Sequence, residues 1–310
     1  MAVNMKGKDL ISIHDLSREE VDQILETSQI LKMKQKLGEQ YHPLKGKTLG
    51  MIFQKSSTRT RVSFEVGMFQ LGGHALFLSA NDLQLNRGET IADTARNLSR
   101  YLDGIMIRTF DHQDVVDLAE YSSVPVINGL TDLLHPCQVL SDLFTIKEKK
   151  QNLEGLKLIY IGDGNNMAHS LMFGGAKMGM HVVICSPSGF EPDPEITRLS
   201  RVDASKSGAT ISIEDDPVEA VKTADVIYTD VWASMGMEDE HEERLRSFAS
   251  YQLNSELLEK SKEDVIVMHC LPAHRGEEIT DEVIDGPHSI VFDQAENRLH
   301  VQKAIMALTM

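Results

Sequence analysis

Short apolar runs alternate with amphipathic stretches along this chain, and that alternation restricts the folds open to it. Thr48 to Gln54, His74 to Ser79, Gly104 to Arg108 and Val124 to Asn128 read as buried strands in the first half. Leu156 to Gly162, His181 to Ser186, Asp225 to Thr229, Val265 to His269 and Ser289 to Asp293 do so in the second half. Helical patterns separate most of them, and Ser17 with Glu20 spells a capping box before Val21, Ile24, Leu25 and Leu31. Strand–helix repetition implies parallel sheets covered on both faces. With 310 residues the chain exceeds one typical core, so two domains are expected. The predicted class is α/β: two doubly wound domains, each a parallel sheet flanked by helices, joined by interdomain helices. The first is placed at 1–135 and the second at 136–297, with a polar break at Glu148 to Asn152. A C-terminal helix over 298–310 is expected to pack back on the first domain.

The net charge of −16 argues against a nucleic-acid partner, because phosphate backbones require a basic footprint. It leaves room for a small phosphorylated ligand, for which a few cations in a cleft suffice. Cys137, Cys185 and Cys270 are an odd, widely spaced set and form no disulfide framework, which suits a reducing, cytoplasmic setting. No apolar run approaches the ~18 residues of a membrane span, and Met1 to Leu10 lacks the apolar core of a signal peptide. No membrane partner is expected.

In doubly wound folds ligands gather beyond the carboxyl ends of the strands, so the polar residues that follow each strand run are the candidates. After Gln54 comes Ser56-Ser-Thr-Arg-Thr-Arg61, opening a helical stretch. Free N–H groups and the positive dipole end there, joined by hydroxyls and guanidiniums, suit a phosphate; an N-capped surface helix is the bland alternative. Arg108 finishes a buried run and either points into a cleft or makes an ordinary salt bridge. His135-Pro-Cys-Gln138 starts the next helix, where a histidine tends to stay neutral and could donate to a carbonyl oxygen. Gly162-Asp-Gly-Asn-Asn166 lacks the third glycine of a dinucleotide loop, and its asparagine amides fit a carboxylate or an ammonium group. Asp230-Val-Trp-Ala-Ser-Met-Gly236 follows another strand, His269-Cys-Leu-Pro272 a third, and Arg298 follows Phe292 to Asn297. The bland reading of His269 to Pro272 is a buried thiol and a proline stop.

Together and in order, these segments resemble the carbamoyltransferase superfamily over essentially the whole chain. Ser56-x-Thr-Arg-Thr-Arg61 and His135-Pro-x-Gln138 are similar to its carbamoyl phosphate signatures. Asp230-Val-Trp-x-Ser-Met-Gly236 and His269-Cys-Leu-Pro272 resemble its ornithine branch; the aspartate branch has Pro-Leu-Pro-Arg at the last site. The resemblance implies transfer of a carbamoyl group from carbamoyl phosphate to the δ-amine of L-ornithine, by direct attack in an interdomain cleft. It implies that Ser56, Thr58, Arg59, Thr60 and Arg108 hold the phosphate. Arg108 and His135, with Thr60, would polarise the carbamoyl oxygen. Gln138, the Leu271 carbonyl and Arg298 would lie at the carbamoyl amine. Asn166, Asp230, Ser234 and Met235 would hold ornithine, with Cys270 near the attacking amine. Gln84 would complete a neighbour's site in a homotrimer. No metal or organic cofactor is implied, and the scattered histidines show no ligand spacing.

Three other readings use the same residues. Putrescine or an acylated ornithine could be the acceptor, although Asp230 and the Ser-Met-Gly loop suit free ornithine. A dinucleotide-dependent oxidoreductase needs an acidic residue ending the second strand of the unit, where this chain reads Cys185-Ser-Pro. A non-catalytic binding protein would fail a carbamoylation assay.

Overall fold

A computed structural model describes residues 3–80, 82–84, 88–233 and 240–310. It divides into two compact units: unit 1 is Met1–Phe144 with Glu296–Met310, and unit 2 is Thr145–Ala295. The division falls inside the helix that follows His135.

In unit 1, α1 (Arg18–Lys36) begins at the capping box read from the sequence. Glu20 N–H donates to Ser17 Oγ at 3.2 Å, and Ser17 N–H donates to Glu20 Oε2 at 2.8 Å. Such a cap contributes roughly 0.5–2 kcal/mol. Val21, Ile24, Leu25 and Leu31, at helical spacing, form its buried stripe. Next come β1 (Thr48–Phe53), α2 (Thr58–Gln70), β2 (His74–Ser79), α3 (Ile91–Leu98), β3 (Gly104–Arg108), α4 (His112–Tyr121) and β4 (Val126–Leu130). The four strands form one parallel sheet in the order β2-β1-β3-β4. Ile52, Ile105, Ile107 and Val126 pack beneath α3 and α4 through Ala95, Val115 and Leu118. The chain then enters α5 (Pro136–Lys150).

In unit 2, β5 (Lys157–Ile161), α6 (Asn166–Lys177), β6 (His181–Cys185), α7 (Pro194–Ser207), β7 (Ile211–Glu214), α8 (Pro217–Val221) and β8 (Val226–Thr229) follow. They are succeeded by α9 (His241–Ser247), α10 (Ser255–Leu258), β9 (Ile266–His269), α11 (Asp281–Ile284) and α12 (Val291–Thr309). The sheet is parallel, in the order β7-β6-β5-β8-β9. On one side an aromatic cluster centres on Phe248, with ring centroids 4.8 Å from Phe190, 5.6 Å from Trp232 and 6.0 Å from Tyr251.

Two strand expectations need correction. β7 was not foreseen, because its four residues follow a polar Ser-Gly-Ala-Thr stretch and only one is fully buried. The run from Ser289 to Asp293 forms a single bridge, Ser289 to Val267, and α12 starts at Val291. The C-terminal helix thus begins well before Arg298. Its last turns lie on α2: a Cβ added at Gly67 would stand 2.9 Å from Met306 Cε.

The packing of α12 in unit 1 buries a cation. Lys303, 3% exposed, donates to the amide oxygens of Gln35 at 2.6 Å and Gln70 at 2.8 Å. Neutral partners do not repay the hydration lost, and burial pushes its amine down to about 8 from an ordinary 10.5. Below about pH 8 folded and unfolded chains both carry the proton and the burial cost is fully felt. Between there and 10.5 the unfolded chain binds more proton, so stability rises with pH. We expect the unfolding free energy of the parent chain, from urea titrations, to gain on that of Lys303→Met by up to ~3 kcal/mol across that window. Parallel pH profiles for the two proteins would show that the burial cost is absent.

Candidate active site

In each unit the strand order reverses at one place, between β1 and β3 in unit 1 and between β5 and β8 in unit 2. Crevices open at such switch points, beyond the strand carboxyl ends. The register there is direct: Phe53 pairs with Arg108, and Ile161 with Thr229. The residues immediately after these pairs are the ones singled out by the motifs.

In unit 1, Ser57 caps α2, its hydroxyl accepting from Thr60 N–H at 3.3 Å, while Ser56 and Thr58 are exposed at the helix start. Thr60 is fully buried and its Oγ1 accepts from Arg298 Nη2 at 2.7 Å, joining α2 to α12. Arg108, His135, Gln138 and Arg298 are all buried. His135 is held well below its ordinary 6.5, first by burial and then by the guanidiniums of Arg298, Arg108 and Arg59. It is therefore a neutral imidazole inside a cationic cluster and can donate one N–H without adding charge. Gln138 Nε2 donates to Asp142 Oδ1 at 2.9 Å, so its Oε1, buried and without a hydrogen bond, is left as an acceptor. Arg59 Nε is likewise buried and unbonded, a donor without an acceptor. Such atoms each cost about 1–3 kcal/mol unless a ligand or water answers them. Gln84 is exposed, its backbone carbonyl accepting from Glu89 N–H at 3.2 Å. Among the described contacts nothing ties it to this cluster.

In unit 2 the Gly162-Asp-Gly turn leads into α6. Gly164 is required there, since an added Cβ would lie 2.3 Å from the Glu191 and Pro192 backbone. Asn165 caps α6, its Oδ1 accepting from Met167 N–H at 2.9 Å. Its amide donates to Asp230 Oδ2 at 3.4 Å. Asn166, read from the sequence as the binding amide, is the first helical residue and is half-buried. Asp230 is 6% exposed, and its Oδ1 accepts from Val231 N–H and from the Cys270 thiol, each at 2.9 Å. Burial pushes its carboxyl above the ordinary range, against His269, Cys270 and Val231, which lower it.

His269 fixes the turn after β9. Its Nδ1 accepts from Leu271 N–H at 2.8 Å, so the proton sits on Nε2, which meets Glu278 Oε1 at 2.9 Å. Leu271 adopts a left-handed φ of 58°, rare outside glycine, and this hydrogen bond holds it there. The capping role of Asn165, the residue Glu278 and the role of His269 were not foreseen. Glu278 lies beyond the His-Cys-Leu-Pro motif, and only the fold brings it back. Ser234 and Met235 lie outside the described residues.

Among the described residues two groups place metal-ligating atoms within 4.8 Å of one another: Asp230, His269 and Cys270; and His274, Glu277 and Glu278. In the first, the His269 nitrogens and Asp230 Oδ1 already have protein partners. Among these residues no helix is long and apolar enough to cross a membrane.

The comparisons with known proteins agree over both units. The model of the carbamoyl-P binding domain of aspartate/ornithine carbamoyltransferases matches residues 8–148, and that of the Asp/Orn binding domain matches 154–309. An ornithine carbamoyltransferase of Thermococcus kodakarensis is 61% identical over 310 residues, covering 100% of this chain and 98% of that one. The Pyrococcus furiosus relative named ornithine carbamoyltransferase, anabolic, is 59% identical over 310 residues, with 100% and 98% covered. A solved structure of ornithine carbamoyltransferase from P. furiosus superposes with a TM-score of 0.97 at 59% identity, covering 99% of this chain and 98% of that chain. With the two family models together spanning nearly the whole chain and relatives matched end to end, this chain belongs to the aspartate/ornithine carbamoyltransferase family.

Proposed function

We propose that this chain transfers the carbamoyl group of carbamoyl phosphate to the δ-amine of L-ornithine, giving L-citrulline and phosphate. The observation that carries the reading is the neutral His135 among Arg59, Arg108 and Arg298. That cluster offers positive charge for a phosphate dianion together with an uncharged N–H for a carbonyl oxygen. The names of the relatives supply the acceptor. The relative named anabolic favours a role in arginine synthesis.

On this reading Ser56, Thr58, Arg59, Thr60 and Arg108 bind the phosphate, and Arg108 and His135 polarise the carbamoyl oxygen. Gln138 Oε1, Arg298 and the Leu271 carbonyl take the carbamoyl amine end. The neutral δ-amine attacks the carbamoyl carbon. Its lone pair forms the C–N bond, the C–O bond to phosphate breaks, phosphate leaves with that electron pair, and the amine loses a proton. Positioning and charge stabilisation do the catalytic work. Asp230 anchors the α-ammonium with Asn166, Ser234 and Met235, and Cys270 lies by the attacking nitrogen. Three free thiols support a cytoplasmic setting.

Assembly into a homotrimer completes the reading. It is supported by an apolar face on unit 1: Val62, Val66 and Phe69 of α2 are 51%, 36% and 78% exposed, beside Phe77 of the edge strand β2. Large exposed apolar patches commonly mark association sites.

Citrulline formation from carbamoyl phosphate and an amine panel tests the activity; absence of turnover with ornithine under conditions that support a known relative would sink it. Replacing Arg59 with Ala should weaken carbamoyl phosphate use about 10- to 150-fold, the loss of a charge-assisted bond of roughly 1.5–3 kcal/mol. Unchanged kinetics would remove Arg59 from the site.

Asp230→Asn should lose far more ornithine turnover than carbamoyl phosphate affinity. Turnover should rise through the alkaline range as the amine, of pKa ~10.4, deprotonates. His135 stays neutral down to well below 6.5, so kcat/KM for carbamoyl phosphate should show no imidazole step near neutral pH. A clear step near 6.5 that disappears in His135→Asn would contradict this.

If Gln84 serves a neighbouring site, mixing Arg59→Ala with Gln84→Ala subunits should restore part of the activity, in sites drawing intact residues from two chains. Verified mixed trimers without restored activity would count against sharing.

A further inference from the structure

We propose that Arg244 is a positioning residue for the ornithine acceptor, bracing the two turns of unit 2 that carry Asn165 and Asp230. The proposal rests on the functional reading above. The ladder between β5 and β8 ends at Ile161 and Thr229, where Thr229 Oγ1 donates to the Ile161 carbonyl at 2.8 Å. Past that point each strand leads into a motif, Gly162-Asp-Gly-Asn-Asn166 on one side and Asp230-Val-Trp232 on the other. The direct tie between these turns is the Asn165 amide to Asp230 Oδ2, and at 3.4 Å it is long. Hydrogen bonds from N–H groups usually span about 2.7–3.2 Å.

Arg244, in α9 and 7% exposed, supplies a shorter tie. Its Nη1 donates to the Trp232 carbonyl at 2.8 Å and stands 2.9 Å from Asp163 Oδ2. One guanidinium nitrogen thus joins the residue two before Asn165 to the residue two after Asp230. The guanidinium is itself fixed. Its Nε donates to Glu240 Oε2 at 3.0 Å, and it lies 5.2 Å from the ring centroid of Phe190. The Phe190 carbonyl in turn accepts from Gly164 N–H at 2.8 Å, closing the first turn on the same side.

The contact also sorts two buried acids. Asp163 and Asp230 are 8% and 6% exposed, and the charge of Asp230 disfavours ionisation of Asp163. Burial raises the Asp163 carboxyl most, and Arg244 opposes that by charge and by hydrogen bond. The guanidinium is therefore engaged with Asp163, while the hydrogen bonds to Asp230 come from an amide, a backbone N–H and a thiol. Of the two acids, Asp230 is the one left to meet an ammonium group. A buried ion pair contributes little net stability, so this one is better explained by what it orients than by packing.

The test is steady-state kinetics of the full chain, with ornithine turnover by the parent established first. In Arg244→Ala the KM for ornithine should rise about tenfold or more, the scale of one lost charge-assisted bond. The KM for carbamoyl phosphate should stay close to the parent's. Arg244→Lys keeps the charge but not the fork of donors, and should recover part of the loss. Asp163→Ala should also raise the ornithine KM, and the double variant should fall short of the product of the two effects, because both remove the same bridge. Circular dichroism and thermal melts check folding; if Arg244→Ala does not fold, Arg244→Lys and Asp163→Ala carry the same comparison of the two KM values. Folded variants with the parent's ornithine KM overturn the proposal. So does a lower kcat with both KM values unchanged, which a purely structural brace would give, and so do effects that multiply independently. An inactive parent would instead defeat the functional reading, and the proposal with it.

Discussion

Parallel strands all end at the same edge of their sheet, and the chemistry of this molecule hangs on that constraint. In unit 1 the register that pairs Phe53 with Arg108 sets the Ser56–Arg61 helix start beside a buried guanidinium. In unit 2 the pairing of Ile161 with Thr229 sets the Asn165 cap beside Asp230, and that of Thr229 with His269 brings in Cys270. An antiparallel arrangement would send every second strand end to the far edge and scatter these residues. The apolar cores therefore act on function through register: the buried isoleucines of β1 and β3 fix which polar residue stands beside which.

The unit 1 cluster shows how charge and neutrality are kept side by side. Three guanidiniums near one imidazole would repel a fourth positive charge, and burial removes the water that would screen it. The imidazole is thereby kept uncharged, which preserves it as a neutral donor. The same arginines supply the field in which a phosphate would sit. Arg298 arrives from the last helix of the chain, and its bond to Thr60 makes the C-terminal segment part of the site rather than a packing appendage.

Much of this was legible in the sequence because the signals are local. The Ser17–Glu20 box, the strand runs and the polar motifs after them each depend on residues a few positions apart. What escaped depends on distance or on weak signal. β7 is too short and too exposed to stand out, and the run at Ser289 to Asp293 cannot be told from a helix start by periodicity alone. Of the adjacent asparagines, spacing could not say that Asn165 caps the helix and turns its amide to Asp230. Gln84, read as serving another subunit, is exposed within its own chain.

The buried acid of unit 2 carries the argument one step further. Asp230 is given three donors, the Asn165 amide, the Val231 N–H and the Cys270 thiol, but among the described residues no lysine or arginine pairs with it. Arg244, the nearby cation, is engaged with Asp163 and Glu240. Hydrogen bonds favour the carboxylate while burial opposes it, and burial wins, so the carboxyl titrates higher than usual. A carboxylate in that balance gains most from a ligand that brings a compact positive charge. An α-ammonium does so, and its arrival would pull the carboxyl back toward its ordinary range, releasing a proton wherever Asp230 had been protonated. The free site is thus partly self-satisfied, and a bound ammonium would further stabilise the ionised carboxylate. On the proposed reading, this selects an amino-acid acceptor over a simple diamine, whose second ammonium would have to reach the same carboxylate without the carboxylate and amide contacts that orient an α-amino acid.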